Sequence, residues 1–340
     1  MAGQPVRSGD GPEAERVEVA TVEQVAAVTA AYPFKIWGFG EGPALAALLR
    51  VGQLAERADL VARVAELVLP SLRRPPDPTD HLIAVEVLLG LRSLRGDVTT
   101  QIDDVCDRWV ATIRDAPRRT PGGPRLHRPD LQAWSSTIWV DCMHTDGPGL
   151  LALGHVDEAV TYAKEYARVL QRSDGLFHHG YDVVSERGNG VAWGRGQGWA
   201  LLGLVEVAAG TRDDELAGRL RQLVDALAEH EMDGRWRTVV DDPEAPLENS
   251  VSAFVAFGVR RAVAHGLVDQ RHAAMAERAF AAAVQETVDG RLLVSDATPV
   301  GDAVSYRHRG LGAFPWGQGP LLLAMLERVK GLEGVEGETS

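Results

Sequence analysis

The 340-residue sequence contains only two cysteines, Cys106 and Cys142, and no C-x-x-C pair. Two cysteines in a chain of this length cannot form a disulfide framework, which favours a reducing compartment. No run of 18 apolar residues occurs, so we expect no membrane-spanning helix. The first 20 residues also lack the apolar core of a secretory signal. The sequence therefore predicts a cytoplasmic protein that does not bind a membrane.

Positive charge is scarce as well. Lys and Arg number 35 against 48 Asp and Glu, which leaves a formal net charge of -13. Such a balance disfavours binding to nucleic acid or to an anionic membrane. The sequence has no G-x-x-x-x-G-K-[ST] phosphate loop, no G-x-S-x-G nucleophile turn and no H-E-x-x-H zinc motif. We therefore predict no metal and no other cofactor, and nothing in the sequence indicates an oligomeric state.

The composition, 45% hydrophobic and 24% charged, is typical of a globular protein with a sizeable core. Residues 1–15 and 331–340 are polar and rich in glycine and glutamate, so we predict disordered tails there. A single domain is expected over residues 16–330.

The sequence does contain a repeated unit, in which a polar or glycine-rich opening precedes an apolar segment of helical length. Six such segments begin at Trp37, Thr79, Asp141, Trp193, Glu248 and Trp316. Amphipathic segments such as VDEAVTYAKEYARVLQRS alternate with them. Six apolar helices inside six amphipathic ones predict an all-α fold, an (α/α)6 barrel of six helical hairpins. An open solenoid is the alternative. Only GRWRTVVDD and RLLVSD suggest short hairpin strands.

In such a ring the inner helices run in one direction, so their N-terminal ends meet at one cavity. Glycines there permit close backbone approach, and helix N-termini favour an anionic ligand. Pro43, Pro148 and Pro320 are predicted to lie in first turns of inner helices. The tryptophans of the openings are candidate platforms for sugar rings, with core packing as the alternative role. They are Trp37, Trp193, Trp199 and Trp316.

Asp141 is the first candidate for chemistry, because it stands in the apolar run from Ile138 to Met143. A carboxylate in such a run is costly unless it is paired or hydrogen-bonded. Its other possible role is a helix N-cap, but Asp146, just before a Gly-Pro pair, is the better cap candidate. Burial disfavours the charged form of a carboxyl, which suits a group that must hold a proton near neutral pH.

Several further polar residues are candidates for the same cavity. One of the adjacent His178 and His179 is expected to face it as a hydrogen-bond donor, the alternative being a solvent-exposed loop histidine. Arg195, between two tryptophans, suits a carboxylate ligand, the alternative being a surface cation. Asp80 and Glu248 each open an inner helix and are either caps or functional groups.

Four motifs then give a resemblance to a known family. In order, WVDCMHTDGPGLLALG, LFHHGYD, WGRGQGW and GAFPWGQGPLLLAM resemble the unsaturated uronyl hydrolases, glycoside hydrolase families 88 and 105, and most closely the unsaturated rhamnogalacturonyl hydrolases. The resemblance extends over residues 30–330. It implies an (α/α)6 barrel that acts on lyase-derived oligosaccharides whose terminal uronic acid carries a C4=C5 double bond.

The resemblance also implies hydration of this vinyl ether, without a cofactor. Asp141 would protonate C4 as an acid and then, as a carboxylate, activate the water that attacks C5. Asp80 matches a second family aspartate less closely. The residues assigned to substrate binding are His179, Trp193, Arg195 and Trp199, together with Trp37, Met143 and Trp316.

Three alternatives stay open at this point. A sugar epimerase would need two cavity histidines as acid and base. An inverting glycosidase would need two carboxyl groups about 6.5 to 9.5 Å apart. A non-catalytic barrel that only binds sugar is the third. Tyr181 and the opening WGFGEG depart from the usual family pattern, which bears on the identity of the leaving sugar.

Overall fold

The computed structural model describes residues 19–34, 39–73, 84–116 and 123–329. Both predicted tails, and the candidate site residues Trp37 and Asp80, lie outside these residues. Within the described residues the chain forms thirteen α-helices. In chain order they are α1 (Val19–Ala30), α2 (Gly42–Leu54), α3 (Ala58–Val68), α4 (Val85–Leu94), α5 (Thr99–Asp115), α6 (Cys142–Ala152), α7 (Val156–Leu170), α8 (Gly194–Thr211), α9 (Asp214–Glu229), α10 (Asn249–Ala264), α11 (Ala273–Gln285), α12 (Ala303–Arg307) and α13 (Pro315–Leu326).

Six of these helices form a closed inner ring. They are the six apolar segments of the sequence, α2, α4, α6, α8, α10 and α13. Each packs against the next, and α13 returns to pack against α2. This last contact excludes the open solenoid and confirms the predicted (α/α)6 barrel.

The outer helices are α1, α3, α5, α7, α9 and α11, and each buries one face only. In α7, for example, Ala159, Tyr162, Tyr166 and Leu170 are buried at intervals of three and four residues. The inner helix α8 is instead buried along most of its length. The difference in hydrophobic pattern between the two sets of segments therefore arises from their position in the two layers.

Short antiparallel strands connect some of the hairpins. β1 (Thr137–Trp139), β2 (Gly180–Asp182) and β3 (Arg187–Gly188) form one sheet. The other strands form two pairs: β4 (Thr287–Val288) with β5 (Arg291–Leu292), and β6 (Val294–Ser295) with β7 (Leu311–Gly312). The segment RLLVSD thus supplies β5 and β6 as predicted, whereas GRWRTVVDD forms isolated bridges in place of a strand.

Two of the three proline predictions are wrong. Pro43 lies in the first turn of α2 as predicted, but Pro148 and Pro320 lie inside α6 and α13. The reason is that the residues before these two prolines are already helical, and Pro315 takes the first position of α13. No helix in the described part of the chain is both long and apolar enough to cross a bilayer.

Candidate functional site

Strands β1 and β2 bring Asp141 and His179 together. Their antiparallel register pairs Trp139 with Gly180, and the backbone N–H of Val140 donates to the carbonyl of His179 at 2.9 Å. The chain then turns into α6, with Asp141 at the N-cap position. The Asp141 side chain makes no capping hydrogen bond. Its Oδ2 lies 3.0 Å from Nε2 of His179, and both side chains are buried.

The prediction that Asp146 caps this helix is wrong, because α6 already begins at Cys142. Asp146 lies inside α6 and is fully buried. It accepts two hydrogen bonds from the guanidinium of Arg125, at 2.9 and 3.3 Å, and one from the hydroxyl of Tyr166 at 2.8 Å. Asp146 is therefore a structural ion-pair partner that joins α6 to α7 and to the segment before β1.

His179 is held between two indole rings. Its ring centroid is 4.3 Å from that of Trp193 and 5.7 Å from that of Trp139. Its Nδ1 lies 2.6 Å from the hydroxyl of Tyr306. The neighbouring His178 is only partly buried, and its Nδ1 accepts a hydrogen bond from a loop backbone N–H at 3.2 Å. Of the two adjacent histidines, it is therefore His179 that contacts Asp141.

Arg195 lies in the first turn of α8 and is almost completely buried, so it is not a surface cation. Its guanidinium carbon is 4.5 Å from the ring centroid of Trp193 and 5.6 Å from that of Trp316. Burial lowers the pKa of Arg195, and the negative charges of Glu248 and Asp141 oppose that shift. The guanidinium is thus stacked between two indole rings. It also interacts electrostatically with the carboxylates named above.

Hydrogen bonds hold the Arg195 guanidinium in a fixed orientation. Nη1 donates to the hydroxyls of Ser250 and Ser295, at 3.4 and 3.2 Å, and Nη2 donates to the carbonyl of Asp296 at 2.8 Å. Glu248 lies 3.6 Å from Nη1 and also caps α10 by accepting from the backbone N–H of Ser250. Glu248 is therefore both a helix cap and the counter-ion of Arg195.

The remaining candidate residues lie either beside Asp141, His179 and Arg195 or deeper in the barrel. Trp316 is half-buried beside Arg195 and donates its indole N–H to the Ser295 carbonyl at 2.9 Å. Trp199 lies one turn deeper in α8 than Arg195, and its ring stacks on His144 at 5.2 Å. Met143 is buried in the first turn of α6. The structure thus brings Asp141, His179, Trp193, Arg195 and Trp316 together, with Trp199 and Met143 deeper in the barrel.

A cavity of 610 Å³ occupies the barrel lumen and is lined by residues of all six inner helices. Its lining includes His144, one turn after Asp141 in α6, together with Glu86, Glu206 and Arg261. It extends to the C-terminal ends of the inner helices, at Ser93 and Gly210, whereas the side chains clustered around Asp141 do not line it. Burial lowers the pKa of His144 to about 4. The side chain of Glu86 is 44% exposed to the lumen, where desolvation by the surrounding protein and the nearby charge of Glu206 raise its pKa to about 7. The volume lies in the range of small-molecule sites.

The described residues form neither a cluster of metal ligands nor a reactive thiol. No three His, Cys, Asp or Glu side chains converge there as metal ligands. Cys106 and Cys142 are free and buried, and burial raises the pKa of the Cys142 thiol to about 12. A thiol with such a pKa is not a thiolate nucleophile at neutral pH.

Comparison with known proteins identifies the family. Residues 14–332 match the sequence profile of Glycosyl Hydrolase Family 88. The chain belongs to this family. The resemblance of its motifs to the unsaturated uronyl hydrolases is thereby confirmed, and the protein is a glycoside hydrolase.

Among the relatives of this family 88 protein is the unsaturated rhamnogalacturonyl hydrolase YesR of Bacillus subtilis (strain 168), 28% identical over 213 residues. That match covers 56% of this chain and 60% of the relative, so it spans less than two thirds of the relative's length.

Two solved structures share the fold of the family 88 chain. A possible member of family GH105 from Klebsiella pneumoniae has a TM-score of 0.79 and 22% identity, covering 96% of this chain and 95% of that one. The unsaturated glucuronyl hydrolase of Bacillus sp. GL1 has a TM-score of 0.74 and 16% identity, covering 92% and 97%.

Two polar residues at this site, Tyr306 and Asn189, are not indicated by any sequence pattern. Tyr306 lies 127 residues from His179, in the polar stretch GDAVSYRHRG, and Asn189 lies in the loop after β3. Neither belongs to an apolar segment or to one of the four motifs. Only the folded chain shows that the Tyr306 hydroxyl reaches His179 and that the Asn189 side chain reaches Tyr306.

Proposed function

We propose that this family 88 glycoside hydrolase removes a terminal 4,5-unsaturated uronic acid from oligosaccharides produced by polysaccharide lyases. The observation that carries the proposal is the Asp141–His179 contact at the inner-helix openings, beside a stacked Arg195. The names of two relatives support the substrate class, since one is an unsaturated rhamnogalacturonyl hydrolase and the other an unsaturated glucuronyl hydrolase.

Asp141 supplies both proton transfers in the proposed reaction. As an acid it gives its proton to C4 of the vinyl ether, and positive charge develops at C5 and the ring oxygen. As a carboxylate it then takes a proton from the water that attacks C5. The resulting hemiketal opens to a ketone at C5, which turns C1 into a hemiacetal. Collapse of the hemiacetal releases the second sugar as an alcohol, with one water consumed overall.

Arg195 is proposed to hold the carboxylate of the unsaturated uronic acid. A guanidinium has five N–H donors, and the bonds to Ser250, Ser295 and Asp296 use three of those of Arg195. The Nε–H and one Nη2–H are on neighbouring nitrogens that can bind a carboxylate bidentately. The protein as a whole is acidic, so this buried cation gives the site its attraction for an anion.

Aromatic side chains complete the proposed sugar site. Trp193 and Trp316 offer apolar faces next to Arg195, which suits the C–H face of a sugar ring. Trp199 and Met143 are proposed to form the floor below it. Substrate contacts from Trp37, and a second acidic role for Asp80, are further proposals for residues outside the described ranges.

The site geometry favours hydration over the two other sugar reactions. Among the described residues, Glu248 accepts hydrogen bonds from Ser250 and from the Ser295 backbone and pairs with Arg195, so this carboxylate does not serve as the base of an inverting glycosidase. An epimerase needs a second histidine facing the sugar, but His178 accepts from a loop backbone N–H and His144 stacks on Trp199 deeper in the barrel.

The function is tested by following the ultraviolet absorbance of the conjugated C4=C5 uronate in a lyase-generated disaccharide. We expect the wild-type protein to abolish this absorbance and to give two products whose masses by mass spectrometry together exceed that of the disaccharide by one water. Asp141→Asn should abolish the reaction. Asp157→Asn, at an exposed position in the first turn of α7, is the matched control and should react as the wild type does.

Two results would contradict the proposal. No loss of absorbance from either an unsaturated galacturonyl or an unsaturated glucuronyl disaccharide would overturn the function. A full rate in Asp141→Asn would overturn the assignment of the acid and leave the reaction itself standing.

A further inference from the structure

We infer that Tyr306 and Asn189 fix His179 as the tautomer with its proton on Nε2, so that Asp141 exchanges protons with substrate only through Oδ1. The tautomer is a property of the resting protein. Its consequence for catalysis rests on the proposed function, in which Asp141 is the acid and base. Tyr306 and Asn189 are positioning residues, because they act on Asp141 through the imidazole.

The argument starts from backbone groups, whose donor and acceptor roles cannot change. The backbone N–H groups of Val191 and Gly180 donate to Oδ1 of Asn189, at 3.2 and 3.4 Å. Nδ2 of Asn189 donates to the carbonyl of Gly301 at 3.0 Å. A flipped amide would set donor against donor and acceptor against acceptor at all three contacts. The orientation of the Asn189 amide is therefore determined.

The hydroxyl of Tyr306 is the next link. It accepts from Nδ2 of Asn189 at 3.3 Å and from the backbone N–H of Gly301 at 3.2 Å. Both neighbours are donors, so they occupy the two lone pairs of the phenol oxygen. Its own hydrogen must then point to its third neighbour, Nδ1 of His179, at 2.6 Å. Burial raises the pKa of Tyr306, so the phenol keeps this hydrogen.

A neutral imidazole that accepts at Nδ1 carries its hydrogen on Nε2. In His179 this nitrogen lies 3.0 Å from Oδ2 of Asp141. The ring is completely buried, and Trp193 and Trp139 cover it. His179 therefore donates to Asp141, and the direction of this hydrogen bond is set by the backbone groups of Gly180, Val191 and Gly301.

The bond from His179 separates the roles of the two carboxyl oxygens of Asp141. Oδ2 accepts the Nε2–H whether or not the carboxyl is protonated. The proton that Asp141 transfers to C4, and the proton it takes from water, therefore reside on Oδ1. In the opposite tautomer two acceptors, Nε2 and Oδ2, would face each other. Asp141 would then have to carry its proton on Oδ2 and donate it to Nε2.

The nitrogen signals of histidine test the inference directly, because ¹⁵N NMR distinguishes a protonated from an unprotonated ring nitrogen. In the resting wild-type protein, labelled on histidine, we expect His179 to show a protonated Nε2 and an unprotonated Nδ1. In Tyr306→Phe the donor to Nδ1 is lost, and we expect the two tautomers to mix. Asn189→Asp, which replaces a donor to the phenol with an acceptor, should shift the same signals. His179→Gln assigns them.

Tyr162→Phe is the matched control. Tyr162 is also buried, and its hydroxyl donates to the backbone carbonyl of Ile113 at 3.1 Å. Its loss should leave the His179 signals unchanged. In the disaccharide assay, Tyr306→Phe should lower kcat by about 10- to 100-fold, the range for loss of a partner that orients a functional histidine. KM should change little, because Tyr306 is not proposed to touch substrate.

Three outcomes would overturn the inference: a wild-type His179 protonated on Nδ1, a Tyr306→Phe protein with unaltered His179 signals, or the same change in Tyr162→Phe. The spectra are recorded without substrate. If no unsaturated uronide is consumed, the proposed function fails while the tautomer is still decided by the spectra.

Discussion

The carboxylate of Glu248 lies 3.6 Å from the guanidinium of Arg195, and both side chains are buried at the openings of α8 and α10. Removal of one partner from a buried ion pair leaves an uncompensated charge, which is more costly than the pair itself is stabilising. Arg195 therefore has a structural role in addition to the proposed binding of a substrate carboxylate. The effect of its substitution must be measured on both the free energy of unfolding and the KM for substrate.

Arg195→Ala should lower the free energy of unfolding by about 3 to 5 kcal/mol, because Glu248 is left buried without its counter-ion. Urea unfolding followed by circular dichroism measures the loss. Arg168→Ala is the control, since its pair with Glu165 is at the surface, with 58% of the Arg168 side chain exposed. It should cost less than about 1 kcal/mol. Equal losses in the two variants would refute a structural role for Arg195.

Arg195→Lys separates binding from folding. Lysine keeps the charge beside Glu248 but cannot hold a carboxylate with two parallel hydrogen bonds. We expect a folded protein with KM for the unsaturated disaccharide raised several-fold and kcat less affected. An unchanged KM in initial-rate measurements would remove Arg195 from the substrate site.

Asp141 lies at the N-cap of α6, and Asp146 lies inside the helix. Substitution by asparagine should mainly affect activity at Asp141 and stability at Asp146. Asp141→Asn removes the proposed acid but keeps an oxygen that can accept from His179, so activity should disappear while the thermal midpoint stays near that of wild type. Asp146→Asn breaks the buried pair with Arg125 and should cost about 3 kcal/mol or more. Thermal unfolding and the absorbance assay together decide the matter. A strongly destabilised Asp141→Asn would show that Asp141 is structural as well.

The lumen groups Glu86 and His144 should affect stability in opposite directions over one pH range. The pKa of His144 falls from 6.5 to about 4 on folding, so the unfolded chain binds more protons and stability falls as pH decreases through that window. The pKa of Glu86 rises from 4.5 to about 7, so the folded chain binds more protons and stability falls as pH increases from 4.5 to 7.

The two effects partly cancel in the wild type, and single substitutions should separate them. Unfolding free energy measured at several pH values between 4 and 7.5 should fall more steeply toward acid in Glu86→Gln than in the wild type. In His144→Gln it should fall more steeply toward neutral pH. Parallel profiles in all three proteins would show that neither group changes its protonation on folding.

Gly203 in α8 allows this helix to approach α6 closely. A Cβ at Gly203 would overlap the carbonyl of Met143, two residues after Asp141. Gly203→Ala should therefore destabilise the fold by about 1 to 3 kcal/mol and displace Asp141 relative to Arg195, lowering kcat. Gly218→Ala in the outer helix α9 is the control, because nothing lies closer than 3.8 Å to a Cβ there. It should be neutral or stabilising, by up to about 1 kcal/mol. The reverse order of stabilities would contradict the close packing of α8 on α6.

The helices and the ring could be predicted from the sequence because each depends on a local pattern. Apolar segments became the inner helices, and amphipathic segments became the outer ones. Exact helix starts could not be predicted, as Pro148 and Pro320 show, because residues before each proline that resemble a loop are helical in the packed barrel.

Within the site, the sequence singles out Asp141 because a polar residue interrupts an apolar run there, and His179 and Arg195 because they belong to the family motifs. The fold brings these three residues together, and their roles in catalysis and substrate binding stay predictions. Tyr306 could not be predicted, because its role depends on one hydroxyl reaching His179 across 127 residues of chain. The grouping of Trp199 with Trp193 followed their closeness in sequence. In the barrel Trp199 is one helical turn deeper than Arg195 and stacks on His144.

The contact between α13 and α2 has a consequence for synthesis of the chain. A Cβ at Gly319 in α13 would clash with the backbone of Pro43 and Ala44 in α2, yet α13 is translated about 270 residues after α2. Until then α2 presents an apolar flank to water. The ring therefore cannot close between α2 and α13 until α13 has been translated, and an apolar flank exposed during that interval favours aggregation of the nascent chain.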